Sequence, residues 1–208
     1  MEREAIRTLF GKNFIGKEEL RPFFKALGFE EVDIQETPIQ YCDADLQKAS
    51  SNGYMLVYGV GCVKGQSITL RFLREKFGVN PDDSEPCFYN QDWYIKESFM
   101  DLALDDRWFL IKKDVFEESR AVMPGDLIQH GLNFPPAILC GYTFFAYFFT
   151  RNEYLWWHDF VWCCDTDHNG DRIYVGKYHD IDGVNKNGFS IHRHLALRPC
   201  YGSVNYIG

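Results

Sequence analysis

The sequence has no surplus of positive charge. Its 22 lysines and arginines stand against 30 aspartates and glutamates, a net charge of -8. A phosphate-backbone binder needs a cationic surface, so nucleic acid is not an expected partner. There is also no uninterrupted apolar run of membrane-spanning length. The most apolar stretch, between Asp126 and Arg151, encloses no formal charge, but Asn133, Pro135 and Pro136 break it. Its dense part, 137–149, is shorter than the roughly 20 residues a span requires. It predicts a buried helix with the prolines in its first turn, and no membrane partner. The first residues, Met1-Glu2-Arg3-Glu4, have no apolar run behind them and do not make a signal peptide.

Strong catalytic motifs are missing as well. There is no G-x-S-x-G, H-E-x-x-H, C-x-x-C or phosphate loop ending in G-K-[ST], no internal repeat and no low-complexity tract. Gly59, Gly61 and Gly65 follow a strand-like run. Their G-x-G-x-x-x-G spacing is not that of a dinucleotide loop, and a tight hairpin explains the same letters.

What is present is core material: 46% hydrophobic and 17% aromatic residues. That is incompatible with a disordered chain and fits one domain spanning 1–208. Seven cysteines (42, 62, 87, 140, 163, 164 and 200) are odd in number and irregularly spaced, mostly among apolar neighbours. They predict reduced, mostly buried thiols and a cytoplasmic protein. Cys163 and Cys164, adjacent in a strand, would face opposite ways.

Residues 1–52 read as a helical N-terminal subregion. Ile6, Leu9 and Phe10 share a face, Leu20, Phe23, Phe24 and Leu27 another, and Gly28 is placed to end the second helix. Residues 29–52 read as a polar, acidic connector with one short helix. The body, 53–208, begins with a strand over 54–63, then a helix carrying Leu70, Leu73 and Phe77, capped by Ser67 or Thr69 and stopped by Gly78. A strand is expected at 108–112 and a short helix opened by Pro124. The last quarter, 154–198, alternates as antiparallel strands. Its Asn169-Gly170 pair is expected to supply two positive-φ positions of a hairpin turn, and Phe189, Ile191, Leu195 and Leu197 oppose Ser190, His192, His194 and Arg198. Helices first and antiparallel strands last make the expected class α+β, with a C-terminal antiparallel sheet.

Three groups of residues carry candidate chemistry. Asp165, Asp167, Asn169 and Asp171 place oxygen ligands at alternate positions around Gly170, as a hard cation such as Ca²⁺ requires. Gly176 stands where an EF-hand needs glutamate, so the alternatives are a hairpin turn alone or a hairpin that also holds a divalent cation. In the first case the aspartates repel one another, and an Asp165→Asn, Asp167→Asn variant would be neutral or mildly stabilising. His192 and His194 would share a strand face and grip Zn²⁺, Fe²⁺ or Mn²⁺ with a carboxylate from Asp159, Asp165, Asp180 or Asp182. Trp93, Tyr94, Trp156 and Trp157, mixed with polar residues, would line a ligand cleft or belong to the core. The expected function is a non-catalytic ligand- or partner-binding domain, for a small molecule or a protein. The alternatives are a metal-dependent, hydrolase-like enzyme built on His192 and His194, and a structural cation in the 165–171 loop.

Overall fold

Spacing four residues apart puts Ile6 and Phe10 on the buried side of helix α1 (Arg3–Phe10). The short strand β1 (Phe14–Ile15) follows, then α2 (Arg21–Ala26), which buries Phe23 and Phe24 and is ended by Gly28 at φ +90°. The computed structural model describes residues 1–178, 188–193 and 197–207. The connector contains α3 (Asp43–Ser51), capped by the sulfur of Cys42, which accepts the Asp45 amide at 3.4 Å. Then come β2 (Tyr54–Tyr58), β3 (Cys62–Val63), β4 (Gln66–Ser67) and α4 (Leu70–Phe77). Thr69 caps α4 through the Phe72 amide at 3.1 Å, and Gly78 stops it at φ +69°. The remaining elements are β5 (Trp108–Lys112), α5 (Pro124–Gln129), α6 (Ala137–Arg151), β6 (Phe160–Thr166), β7 (Arg172–Tyr178), β8 (Gly188–His192), β9 (Tyr201–Gly202) and β10 (Tyr206–Ile207).

The class is α+β, with two four-stranded sheets and one small hairpin among the described residues. The first sheet has the order β1-β2-β5-β10, and β1 pairs parallel to β2. The N-terminal part is therefore not purely helical, because Phe14 and Ile15 are fully buried strand residues of this sheet. The expected strand over 54–63 stops at Tyr58. Gly59 and Gly61 run so close to the 104–105 backbone that a Cβ on Gly61 would lie 1.9 Å from the Leu104 carbonyl oxygen. Beyond them β3 and β4 form a hairpin, with Lys64 at φ +50° and Gly65 at φ +82°, a mirror-image turn suited to strand twist.

The last sheet has the order β8-β7-β6-β9. It is antiparallel over β6, β7 and β8, but β9 joins parallel to β6. Strand alternation sorts its residues into two cores. Val161, Cys163, Ile173, Val175, Phe189 and Ile191 join the main core. Phe160, Trp162, Tyr174 and Tyr201 form a second cluster with Leu127 and Phe134. The face carrying Ser190 and His192, expected to be a polar face, is thus covered: Ser190 is fully buried and His192 half-buried. Leu195 and His194 lie outside the described residues.

Helix α6 crosses the interior, packing on α2, α4, β6 and β7. All of its residues from Ala137 to Tyr147 are buried. Phe145 stacks on Phe77 at 4.4 Å and on Phe88 at 5.1 Å. Pro136 is the N-cap rather than a first-turn residue, and its carbonyl accepts the Cys140 amide. Among the described residues no helix is long and apolar enough to cross a membrane. All seven cysteines are free, but the expectation that most are buried is corrected. Cys87, Cys140 and Cys163 are buried, Cys200 is intermediate, and Cys42, Cys62 and Cys164 are exposed. Cys163 and Cys164 do face opposite ways, one into the core and one outward.

Candidate functional site

The segment 165–171 folds as a hairpin turn between β6 and β7. Asp167 and Asp171 close it: the Asp167 amide donates to the Asp171 carbonyl, and Gly170 donates back to the Asp167 carbonyl. Gly170 has φ +86°, whereas Asn169 does not enter the left-handed region. The loop is therefore a three-residue turn with its glycine at the bulge, not the two-residue turn expected from Asn169-Gly170.

The aspartates do not converge. Asp165 accepts the Ala137 amide at 2.6 Å and so holds the start of α6. Burial raises its pKa against that hydrogen bond. Asp167 accepts the amides of Asn169 and Asp171, each at 2.9 Å, and the Arg193 guanidinium at 2.6 Å. Burial pushes the Asp167 carboxyl up, but these donors outweigh it and hold it at about 2. The expected mutual repulsion is replaced by a pairing with Arg193. Beside this pair lies buried Glu97, whose carboxylate accepts the His168 amide at 2.9 Å and meets the His168 ring Nδ1 at 2.6 Å. Glu97, Asp167 and His168 bring three potential ligand atoms within 4.8 Å of one another. Asp165 and Asp171 are not in that group.

His192 sits in an aromatic box. Tyr174 stacks on it at 5.5 Å, Phe160 meets it edge-on at 5.2 Å, and the Gln91 amide nitrogen lies 3.4 Å from Nδ1. Its Nε2 is buried without a hydrogen-bond partner. Burial lowers its pKa to about 4, so the ring is neutral at neutral pH. Of the carboxylates considered as co-ligands, Asp159 is bound by Arg120 at 2.6 Å and Asp165 by the end of α6. His194, Asp180 and Asp182 lie outside the described residues.

Trp93 and Tyr94 pack edge-to-face beside β8. Trp93 donates to the Ile191 carbonyl at 3.1 Å and stacks under Arg193, 4.6 Å from the ring centre. Tyr94 is fully buried. The segment through Trp93 and Glu97 is thus fastened to the β6–β7 turn and to β8, which brings Trp93, Tyr94, Asp167, Asn169 and His192 into one neighbourhood. Trp156 and Trp157 lie elsewhere, beside β7. Trp156 is buried and donates to the Lys113 carbonyl at 3.1 Å, while Trp157 is exposed. Near them is a residue with no sequence signal, Lys177, which is 2% exposed. Its ammonium lies 4.1 Å from the Tyr154 ring centre, 5.2 Å from that of Trp157 and 3.7 Å from the Glu85 carboxylate. Burial lowers its pKa, opposed by Glu85.

Concave surface gathers on another part of the molecule. Three cavities of about 830, 480 and 360 Å³ share the segment 30–43, which has no helix or strand until α3 begins at Asp43. The largest is floored by Phe24, Phe29, Val32 and Ile34, with Arg21, Lys25, Lys64, Glu30, Glu31 and Asp33 around it. The smallest adds Val60, Cys62 and Val63 on the hairpin side. The third lies between α1, the residues 36–41 and Trp108. Polar side chains pin the segment to the first sheet. Thr37 donates its amide to the Tyr58 hydroxyl at 3.1 Å, and its carbonyl accepts from Trp108 Nε1 at 3.0 Å. The Tyr58 hydroxyl donates to the Gln35 carbonyl at 3.3 Å. Read from sequence, this region is only a polar connector. The signal that would have marked it is the alternation of Val32, Ile34 and Glu36 with Glu31, Asp33 and Gln35.

No protein-family model, curated protein or solved structure matches this chain.

Proposed function

We propose that the chain is a non-catalytic binding domain, and that its contact surface is the grooved region along residues 29–43 and the flanks supplied by α2 and the β3–β4 hairpin. The observation that carries this reading is the alignment of three cavities on one extended segment. An apolar floor with a mixed-charge rim is the composition of a recognition groove. The test is titration of isotope-labelled protein with apolar fragments that each bear one charged group, read by amide shifts. Shifts clustering at 21–34 and 60–64 support the reading. Hits that gather elsewhere, or none at all, sink it.

A second reading, a cation held at the β6–β7 turn, is favoured by the spacing of Glu97, Asp167 and His168. Against it, Arg193 already brings a positive charge to Asp167, and the Glu97 carboxylate already accepts the His168 amide. Elemental analysis of the purified protein, with a Ca²⁺ and Zn²⁺ melting series, separates the two. A stoichiometric metal, or a metal-dependent rise in melting temperature lost in Asp167→Asn, would favour the cation.

A further inference from the structure

The segment 31–37 has the burial pattern of a strand, yet among the described residues no strand pairs with it. Glu31, Asp33, Gln35 and Thr37 are exposed, while Val32, Ile34 and Glu36 turn inward, with Ile34 buried. Such period-two alternation belongs to extended chain with one face on a core. Yet residues 30–41 make no backbone–backbone hydrogen bond among the described residues. In extended chain the N–H and C=O groups of successive residues point to opposite edges, so those of every second residue share an edge. The Gln35 carbonyl and both backbone groups of Thr37 point inward, to Tyr58 and Trp108. The backbone groups of Val32, Ile34 and Glu36 therefore line the other edge, and no hydrogen bond to them occurs among the described residues. Cavities of about 830 and 360 Å³, both lined by Val32, Asp33 and Ile34, open beside the same residues.

We infer that this edge receives an extended peptide of a partner protein by strand addition, a deepening that rests on the binding reading above. Backbone bonds to residues 32, 34 and 36 supply affinity, and side chains supply the choice of partner. Inward-facing apolar side chains of the peptide seat on Phe24, Phe29, Val32 and Ile34. Its outward-facing side chains come directly alongside Glu31 and Asp33, and cross-strand pairing of opposite charges favours basic residues there, although Arg21, Lys25 and Lys64 stand elsewhere on the rim. The net charge of -8 steers such a peptide in. The occupant is thus an extended segment in which apolar and basic residues alternate.

The experiment uses the full chain and an acetylated, amidated octapeptide of alternating lysine and valine. It also uses two isomers of that peptide, N-methylated on every valine or on every lysine. Affinity is measured by titration calorimetry and the contact by amide shifts. The inference expects shifts at residues 32, 34 and 36, and a loss of about tenfold or more for one methylated isomer but not the other, since only one peptide edge faces the protein. A Glu31→Lys, Asp33→Lys variant, altered only at exposed positions, should lose the lysine peptide and gain its glutamate counterpart. Equal retention or equal loss by the two isomers overturns strand addition. So does self-association through residues 32–36, which would make the occupant a second copy. If the fragments occupy the groove and the peptide leaves these amides unmoved, the inference falls while the binding reading stands. If neither binds, both fall.

Discussion

Asp167 shows how one side chain can be misjudged from its neighbours in sequence. Three aspartates in seven residues suggest repulsion relieved by a cation, but Arg193, the residue after β8, supplies the charge. The Asp167→Asn change is therefore expected to destabilise, lowering the melting temperature by several degrees at neutral pH. The sign with pH follows from the depressed carboxyl. Its stabilisation is present above the ordinary carboxylate range and is lost as pH falls through about 2. The gap between parent and variant should persist at pH 5 and close by pH 2. His192 works in the other direction. Its ring titrates near 4 when folded against an ordinary 6.5, so the unfolded chain binds a proton first. Stability falls as pH drops from about 6.5 to 4, by at most about 3 kcal/mol before discounting partial exposure. His192→Phe should flatten that fall, as urea unfolding at pH 7 and pH 4.5 would measure.

Among the elements, α6 was the most legible. An uncharged aromatic run that follows two prolines and is too short to span a membrane predicts an interior helix. Phe145→Asp places an unpaired charge between Phe77 and Phe88, at a cost of several kcal/mol against a typical total of about 5–15, and should abolish soluble expression. A folded, soluble variant would show that face to be open. α4 with its Thr69 cap, β5 and the β6–β7 hairpin were legible for similar reasons, because local capping and alternation set them. What local pattern could not reveal came from distant partners. β1 is too short to show a period and exists because β2 lies beside it. The early end of β2 depends on the Leu104 carbonyl. The candidate groove was hidden because its alternation carries only two aliphatic side chains, Val32 and Ile34, among acids.

At the scale of the whole molecule, the exposure of thiols reports the layering. Cys42 and Cys62 should be modified fastest in the native protein, with Cys164 slower, because burial and then Asp165 push its thiol up to about 11. Cys87, Cys140 and Cys163 should react only on unfolding, and fast native labelling of all seven would contradict the two-core arrangement. The tie between Asp165 and the first turn of α6 has a further consequence, this time for biogenesis. The helix leaves the ribosome before the carboxylate that caps it, and the Pro135 carbonyl waits likewise for the Cys164 amide. During synthesis α6 is a greasy segment with a frayed leading end. It becomes secure only once β6 has emerged, so this stage of translation is where a holdase chaperone would have most to cover.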